Sequence, residues 1–138
     1  MCCMSIFSAA ELVYLSEQKL GRLATKAPDG TLQNNPVGYF LDAELGLVDI
    51  GGHGMGGSRK FGNVRADPQV SLVIDDLDTT QGWVVRGIEI RGRAEAIADG
   101  EPPGPGYSRE IIRIHPERIL SWGLGDSSSR RNVASDIS

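Results

Sequence analysis

The sequence predicts a mainly β domain: a closed or split antiparallel β-barrel of six strands with one or two short helices. Two observations favour this fold class. Apolar runs of strand length are joined by short turns rich in Gly, Asp and Pro, which is typical of antiparallel meanders. The first strand segments also lack the crossover helices that parallel strands need. Closing the sheet into a barrel would remove its exposed edges.

The N-terminal half predicts a short helix followed by a three-stranded meander. Ser8 and Glu11 have the spacing of a capping box, so we expect a helix to begin at Ser8. The strands are expected over residues 19–26, 31–41 and 47–50. Asp29-Gly30 is a strong hairpin signal between the first two of them.

The C-terminal half predicts three more strands. The first is the apolar run Val70–Ile74, the second contains the alternating residues 88–96, and the third runs from Ile111 to Trp122. Small residues near the end of the second strand indicate curvature or close backbone packing. Two stretches between these strands, Asp75–Gly82 and Gly100–Gly106, predict a solvated acidic loop and a surface loop.

Domain organisation and cellular context follow from length and composition. The chain has 138 residues, of which we assign 1–124 to a single domain and 125–138 to a flexible C-terminal tail rich in Ser. Its net charge of −4 argues against nucleic-acid binding, and no apolar run reaches the length of a membrane span. The two cysteines, Cys2 and Cys3, are neighbours that cannot form an ordinary disulfide, so we expect a cytoplasmic location.

The glycine-rich stretch Gly51–Lys60 is the main candidate for a binding site. Its glycines allow the backbone to approach a ligand closely. Ser58 can cap a helix that Asp67-Pro68 ends, and the start of a helix favours an anion such as phosphate. Arg59 and Lys60 would add two cations. The alternative is a simple helix cap followed by solvated charges, because the spacing matches neither a Walker loop nor a dinucleotide fingerprint.

Several motifs share an order and spacing that point to a known family. They are Gly21–Thr25, Pro28–Thr31, Pro36–Phe40, Ser58-Arg59-Lys60 with Asp67-Pro68, Arg86–Ala94 and Ile114–Gly123. Together they resemble the pyridoxamine 5′-phosphate oxidase-like split-barrel family, of the FMN-binding split-barrel type, and are most similar to its F420-dependent branch. The likeness runs from about Leu15 to Leu124. It implies a homodimer with a flavin or deazaflavin in a groove between the subunits.

The resemblance also implies which residues bind the cofactor. Contacts to the phosphate would come from Ser58, Arg59, Lys60 and Asn63. The ring would be lined by Asn35, Pro36 and Val37, and the backbone of Ile50, Gly51 and Gly52 would pass beneath it. For the acidic tail of F420, the candidate residues are Arg59, Lys60, Arg65 and Arg86.

The implied function is an F420-dependent oxidoreductase that transfers a hydride between the deazaflavin and a small unsaturated or conjugated substrate. Such a cofactor carries its own hydride chemistry, so no catalytic triad is needed. His53, in the glycine loop, is a candidate proton donor, although a loop histidine is more often simply solvated. No metal site is expected.

Three alternatives remain open at the level of sequence. The segment Asn34–Phe40 lacks the Arg and Lys that the true oxidases use for FMN, so oxidation of pyridoxamine phosphate is not expected. FMN could still replace F420 as the cofactor of an oxidoreductase. The chain could instead be a non-catalytic carrier of flavin or F420, or a haem-binding variant of the barrel.

Overall fold

The computed structural model describes residues 5–125 and 128–133. Cys2, Cys3 and the tail residues 126–127 and 134–138 lie outside the described residues, so the expectations for them stay predictions. The elements are α1 (Ala9–Glu17), β1 (Leu20–Lys26), β2 (Leu32–Asp42), β3 (Leu47–Ile50), a 3₁₀ turn (Met55–Gly57), α2 (Arg59–Ala66), β4 (Gln69–Asp78), β5 (Val84–Ile97), β6 (Ile111–Trp122) and β7 (Ser129–Asn132).

Strands β1 to β6 form the predicted antiparallel barrel. Neighbouring strands follow the order β3-β2-β1-β4-β5-β6, and pairing of β3 with β6 closes the ring. The closing contact joins Val48–Ile50 to Ile112–Ile114. The predicted fold class is therefore confirmed, and the sheet has no open edge where these two strands meet.

The barrel interior is filled by branched apolar side chains. On β5, Ile88 and Ile90 are fully buried, whereas Glu89 and Arg91 form an ion pair on the outer face. The same strand bends at Gly92, where a Cβ atom would lie 2.2 Å from the carbonyl oxygen of His115. A bulge in the pairing with β6 occurs at this point, which confirms the close backbone packing predicted there.

Helix α1 covers one side of the barrel. Ser8 and Glu11 form the predicted capping box. The hydroxyl of Tyr39 on β2 lies 2.7 Å from the carbonyl oxygen of Leu15 near the end of the helix, and burial raises the pKa of Tyr39 to about 12. Within residues 5–125 and 128–133, neither α1 nor α2 is long and apolar enough to cross a membrane.

The acidic stretch after Ile74 is not the solvated loop that the sequence predicted. Residues 75–78 continue β4 and pair with residues 84–87 of β5. The carboxylate of Asp76 accepts hydrogen bonds from Arg86 at 2.9 and 2.6 Å and from the hydroxyl of Tyr14 at 2.8 Å. These donors hold the pKa of Asp76 below its ordinary value, with the Arg86 bonds the largest cause, so the acid is compatible with a strand.

Part of the predicted tail also belongs to the sheet. Ser129–Asn132 form β7, which pairs with Arg118–Ser121 in the second half of β6. The first half of the same edge of β6 is taken by β3. Arg131 connects β7 to α1 by donating to the carboxylate of Glu11, which explains why a Ser- and Arg-rich segment is held against the domain.

Candidate active site

An open groove lies where the middle of β2 faces the glycine loop and the start of α2. It consists of two cavities of about 640 and 270 Å³. The larger is lined by Gln33, Asn34, Asn35, Pro36, Arg59 and Lys60. The smaller is lined by Pro36, Val37, Gly38, Gly51, Gly52, His53, Gly54, Met55, Lys60 and Tyr107. Since Pro36 and Lys60 line both, the two cavities adjoin at these residues.

The two cavities differ in chemistry. Three side-chain amides and two cations surround the larger one, which suits a phosphate or another anionic chain. Glycine backbone, aromatic rings and the apolar Val37 and Met55 surround the smaller one, which suits a flat ring. Of the residues predicted for the site, the structure brings seven to this groove: Asn35, Pro36, Val37, Gly51, Gly52, Arg59 and Lys60.

Ser58 begins α2 as predicted. Its hydroxyl oxygen accepts a hydrogen bond from the backbone N–H of Phe61 at 3.3 Å. The hydroxyl itself donates to the carbonyl oxygen of Met55 at 2.6 Å. The hydroxyl hydrogen is thus committed inside the protein, so in this conformation Ser58 orients the helix and offers no hydrogen to a phosphate.

Asn63 supports the groove from beneath rather than entering it. The side chain is buried, and its amide nitrogen donates to Thr25 Oγ1 at 3.0 Å and to Gln33 Oε1 at 2.9 Å. Both amide hydrogens are therefore used within the protein. The sequence placed Asn63 at the phosphate; the structure instead gives it the task of fixing Gln33, which lines the larger cavity.

The four basic residues proposed for an acidic tail are divided by the structure. Arg59 and Lys60 line the larger cavity. Arg65, on the same helix, lies over the ring of Phe61 at 5.9 Å. Arg86 is paired with Asp76 and lies over the ring of Tyr14, beside another cavity, so it is engaged elsewhere.

Ile50 and the two glycines after it have different roles. The side chain of Ile50 points into the barrel core and is fully buried. Gly51 allows a close approach of the β5–β6 loop, residues 98–110, because a Cβ atom on it would lie 2.9 Å from Pro103 Cγ and 3.2 Å from Tyr107 Cδ1. Glycine at this position is required by the packing of that loop as well as by the groove.

The β5–β6 loop forms a wall of the groove that sequence reasoning missed. The N–H of Ser108 donates to the carbonyl oxygen of Gly52 at 2.8 Å, and Ser108 Oγ accepts from the N–H of Met55 at 3.1 Å. Tyr107 stacks on His53 with ring centroids 4.7 Å apart and 24° between the planes. A tyrosine directly after a Gly-Pro-Gly run was the one available signal, since aromatic residues are unusual in such a loop.

His53, the candidate proton donor, sits at the rim of the smaller cavity. Its Nδ1 lies 2.5 Å from the carbonyl oxygen of Gly106. The rest of the imidazole is exposed. The glycine loop and the β5–β6 loop therefore meet at this histidine. Among residues 5–125 and 128–133, no group of three potential metal ligands occurs.

Comparison with known proteins identifies the family. The sequence profile described as pyridoxamine 5′-phosphate oxidase matches residues 9–123. The chain belongs to the pyridoxamine 5′-phosphate oxidase family. Within this family it is similar to the 5a,11a-dehydrotetracycline/5a,11a-dehydrooxytetracycline reductase of Streptomyces rimosus, with 41% identity over 132 residues that cover 95% of this chain and 93% of the relative. The prediction of an oxidoreductase enzyme is confirmed by this similarity.

Solved structures of family members agree with the fold. A conserved hypothetical protein from Mycobacterium tuberculosis superposes with a TM-score of 0.66 at 23% identity, covering 91% of each chain. An F420 reductase has a TM-score of 0.56 at 27% identity, covering 74% of this chain and 89% of its own. An FAD-binding protein from Mesorhizobium loti has a TM-score of 0.58 at 24% identity, covering 83% and 93% of the two chains.

Proposed function

We propose that the protein is an F420-dependent reductase acting on a conjugated carbon–carbon double bond. The observation that carries this proposal is the position of Lys60, which lines both the polar cavity and the glycine-backed cavity. A cation at that junction can bind the phosphate of a cofactor whose ring lies on one side and whose acidic tail lies on the other.

The residues present fit such a cofactor. Arg59 and Lys60 supply charge at the beginning of α2, where backbone N–H groups also favour an anion. The amides of Gln33, Asn34 and Asn35 offer hydrogen bonds to the tail. On the ring side, a flat group can lie directly against the backbone of Gly51 and Gly52 because these residues have no side chains. F420 is therefore preferred over a purely apolar ligand.

The division of labour follows from these positions. When bound, reduced F420 supplies a hydride. Arg59 and Lys60 hold the phosphate, and the glycine loop with the β5–β6 loop limits where the ring and the substrate can lie. Orientation of this kind contributes to catalysis by holding the two reacting groups in contact.

The substrate class is proposed from the reductase of Streptomyces rimosus. Its name describes reduction of dehydrotetracyclines, and the two chains are 41% identical over nearly their whole lengths. We therefore propose that this protein reduces a conjugated double bond in a related fused-ring compound. The aromatic pair His53 and Tyr107 at the smaller cavity is suited to a flat substrate of this kind.

We also propose that the enzyme is a homodimer in which the partner subunit completes the groove. The groove in a single chain is open to solvent on one side, and β2 next to it exposes two large apolar side chains. Leu32 is 78% exposed and Phe40 is 36% exposed. Covering them with a second copy would remove apolar surface from water. Light scattering of the purified protein tests this proposal, and a strictly monomeric mass at all concentrations would contradict it.

Cofactor identity is tested by titrating the purified protein with F420, followed by deazaflavin fluorescence, and in parallel with FMN, followed by absorbance. We expect F420 to bind more tightly. Tighter binding of FMN would replace F420 by the alternative cofactor, and failure of both to bind would overturn the proposal. The loaded enzyme is then assayed with dehydrotetracyclines and simpler cyclic enones. Tight binding without reduction of any acceptor would indicate a carrier protein instead.

A further inference from the structure

We propose that His53 is the acid that protonates the substrate in this reduction, from its Nε2 atom, and that Gly106 and Tyr107 position its ring. This inference rests on the function proposed above. It assigns a role to a residue that otherwise only borders the smaller cavity. Three features of the structure support it: a fixed hydrogen position, a stacked ring, and a location at the groove.

The hydrogen bond to Gly106 fixes the protonation pattern of His53. A carbonyl oxygen can only accept a hydrogen bond, so Nδ1, at 2.5 Å from it, must carry the hydrogen. This holds for both the neutral and the charged imidazole. The proton that His53 gains and loses is therefore the one on Nε2, the nitrogen opposite the loop.

Stacking fixes the plane of the His53 ring. Tyr107 covers one face of the imidazole at a centroid distance of 4.7 Å. Tyr107 is itself oriented by Phe40, whose ring lies at 5.5 Å and nearly perpendicular to it. Ser108, the next residue, is bonded to Gly52. One face and one nitrogen of His53 are thus occupied by the β5–β6 loop, and the opposite face and Nε2 are left for a ligand.

Location connects this histidine with the proposed chemistry. His53 lines the same cavity as Gly51, Gly52 and Lys60, where we place the cofactor ring and its phosphate. The second histidine, His115, lies on β6 and is paired with Glu95 at 2.6 Å, outside that cavity. Of the two histidines in the chain, His53 is therefore the one that can reach a substrate bound over the ring.

The proton completes the balance of the reaction. The hydride forms a new C–H bond at one carbon of the conjugated double bond, and the cofactor is oxidised by two electrons. The π electrons move toward the conjugated carbonyl group. The Nε2–H bond of His53 breaks, and its proton forms the second new bond on the substrate. His53 is left neutral with its hydrogen on Nδ1, and because it is exposed, solvent can return the proton.

The neighbouring loop residues act through His53 and are therefore positioning residues. Gly106 has a φ angle of +85°, and a Cβ atom there would lie 3.3 Å from His53 Cε1. A side chain at this position would both strain the backbone and press on the imidazole. Tyr107 is expected to act through its ring, so phenylalanine should replace it.

The first test reads the hydrogen position without any cofactor. Nitrogen-15 NMR of the cofactor-free protein distinguishes an imidazole with its hydrogen on Nδ1 from one with it on Nε2. Because the chain has two histidines, the His115→Gln variant assigns both sets of signals. We expect Nδ1–H at His53 in the wild type and in Tyr107→Phe, and a shift toward Nε2–H in Tyr107→Ala. Nε2–H in the wild type would overturn the proposal.

The second test measures turnover and binding separately. We expect His53→Gln to lower kcat by roughly a hundredfold or more, as for loss of a general acid, while its affinity for F420 is unchanged. Tyr107→Ala should lower kcat by roughly ten- to a hundredfold through misplacement, and Tyr107→Phe should recover it. His115→Gln is the matched control and should keep wild-type kcat.

Two kinetic outcomes would contradict the inference. Undiminished kcat in His53→Gln would exclude His53 as the acid. Equal losses in Tyr107→Phe and Tyr107→Ala would assign the effect to the tyrosine hydroxyl instead of the stacked ring. If F420 fails to bind the wild type, the proposed function is wrong, and that result is distinct because the NMR measurement does not depend on it.

Discussion

Arg131 in β7 and Glu11 in α1 form a two-pronged ion pair that joins the last described strand to the first helix. Two guanidinium nitrogens of Arg131 donate to the two carboxylate oxygens of Glu11 at 2.5 and 3.0 Å. The carboxylate is almost fully buried, at 1% exposure. Arg131 also donates to the carbonyl oxygen of Ile6 at 2.7 Å, so one side chain ties down both ends of the described chain.

Arg131→Ala should destabilise the protein by roughly 3 to 5 kcal/mol, because it leaves the charge of Glu11 buried without a partner. Urea unfolding followed by circular dichroism measures the change. Arg130→Ala is the matched control, since Arg130 is the exposed neighbour on the same strand. A chain ending at Gly125 should be at least as unstable as Arg131→Ala. Equal stability of Arg131→Ala and Arg130→Ala would show that the ion pair contributes little.

The same pair predicts how stability depends on pH. Burial raises the pKa of Glu11, but hydrogen bonds from Arg131 and from the backbone of Ser8 outweigh it and hold the pKa below the ordinary value of 4.5. A carboxyl whose pKa is lower in the folded state stabilises the protein above the unfolded value, and this contribution is lost as the pH falls through the folded value.

Glu11→Gln should therefore be less stable than the wild type at pH 7. The difference between the two proteins should shrink as the pH is lowered below about 4.5, where Glu11 itself becomes protonated. Unfolding curves collected at several pH values measure this. A difference that stays constant from neutral to acid pH would show that ionisation of Glu11 is not what stabilises the fold.

Removing the cations at the groove should weaken cofactor binding. Lys60→Ala and Arg59→Ala should each lose about 1.5 to 3 kcal/mol, or roughly ten- to a hundredfold in affinity for F420, because charged hydrogen bonds to the phosphate are lost. Arg65→Ala is the matched control on the same helix, since Arg65 packs over Phe61 away from the groove. Fluorescence titration compares the three. Unchanged affinity in both Lys60→Ala and Arg59→Ala would remove the phosphate assignment.

Asn63 should behave as a supporting residue. Asn63→Leu takes away the hydrogen bonds to Thr25 and Gln33, and the buried hydroxyl of Thr25 then lacks its partner. We expect a loss of about 1 to 3 kcal/mol in the free energy of unfolding. The loss in F420 affinity should be smaller than in Lys60→Ala. A larger loss of affinity with unchanged stability would restore Asn63 as a direct phosphate contact.

Sequence patterns predicted the barrel because its elements are governed by local rules. The capping box at Ser8, the hairpin turn at Asp29-Gly30 and the alternation along β5 each depend on neighbouring residues. The strands that these rules define leave few ways to close a sheet of this size. The residues around Lys60 were also predicted, since a glycine loop and a capped helix are readable from spacing.

The errors arose where a distant partner decides the conformation. Asp76 belongs to a strand because Arg86 and Tyr14 compensate its charge, and Arg131 holds β7 because Glu11 is 120 positions away in the chain. Nothing local to these segments announces the partner. The roles of Asn63 and Tyr107 were missed for the same reason, as each is defined by a side chain on another element.

The wall formed by Tyr107 has an evolutionary consequence. It stands on the β5–β6 loop, which lies outside the strand pairing that closes the barrel, and contacts the glycine loop through a small number of bonds. Natural selection could therefore retune which molecules are accepted by exchanging this short segment, while the scaffold and the grip on the cofactor stay as they are. Chimeras that carry the corresponding segment of another reductase offer a compact route to new substrate ranges.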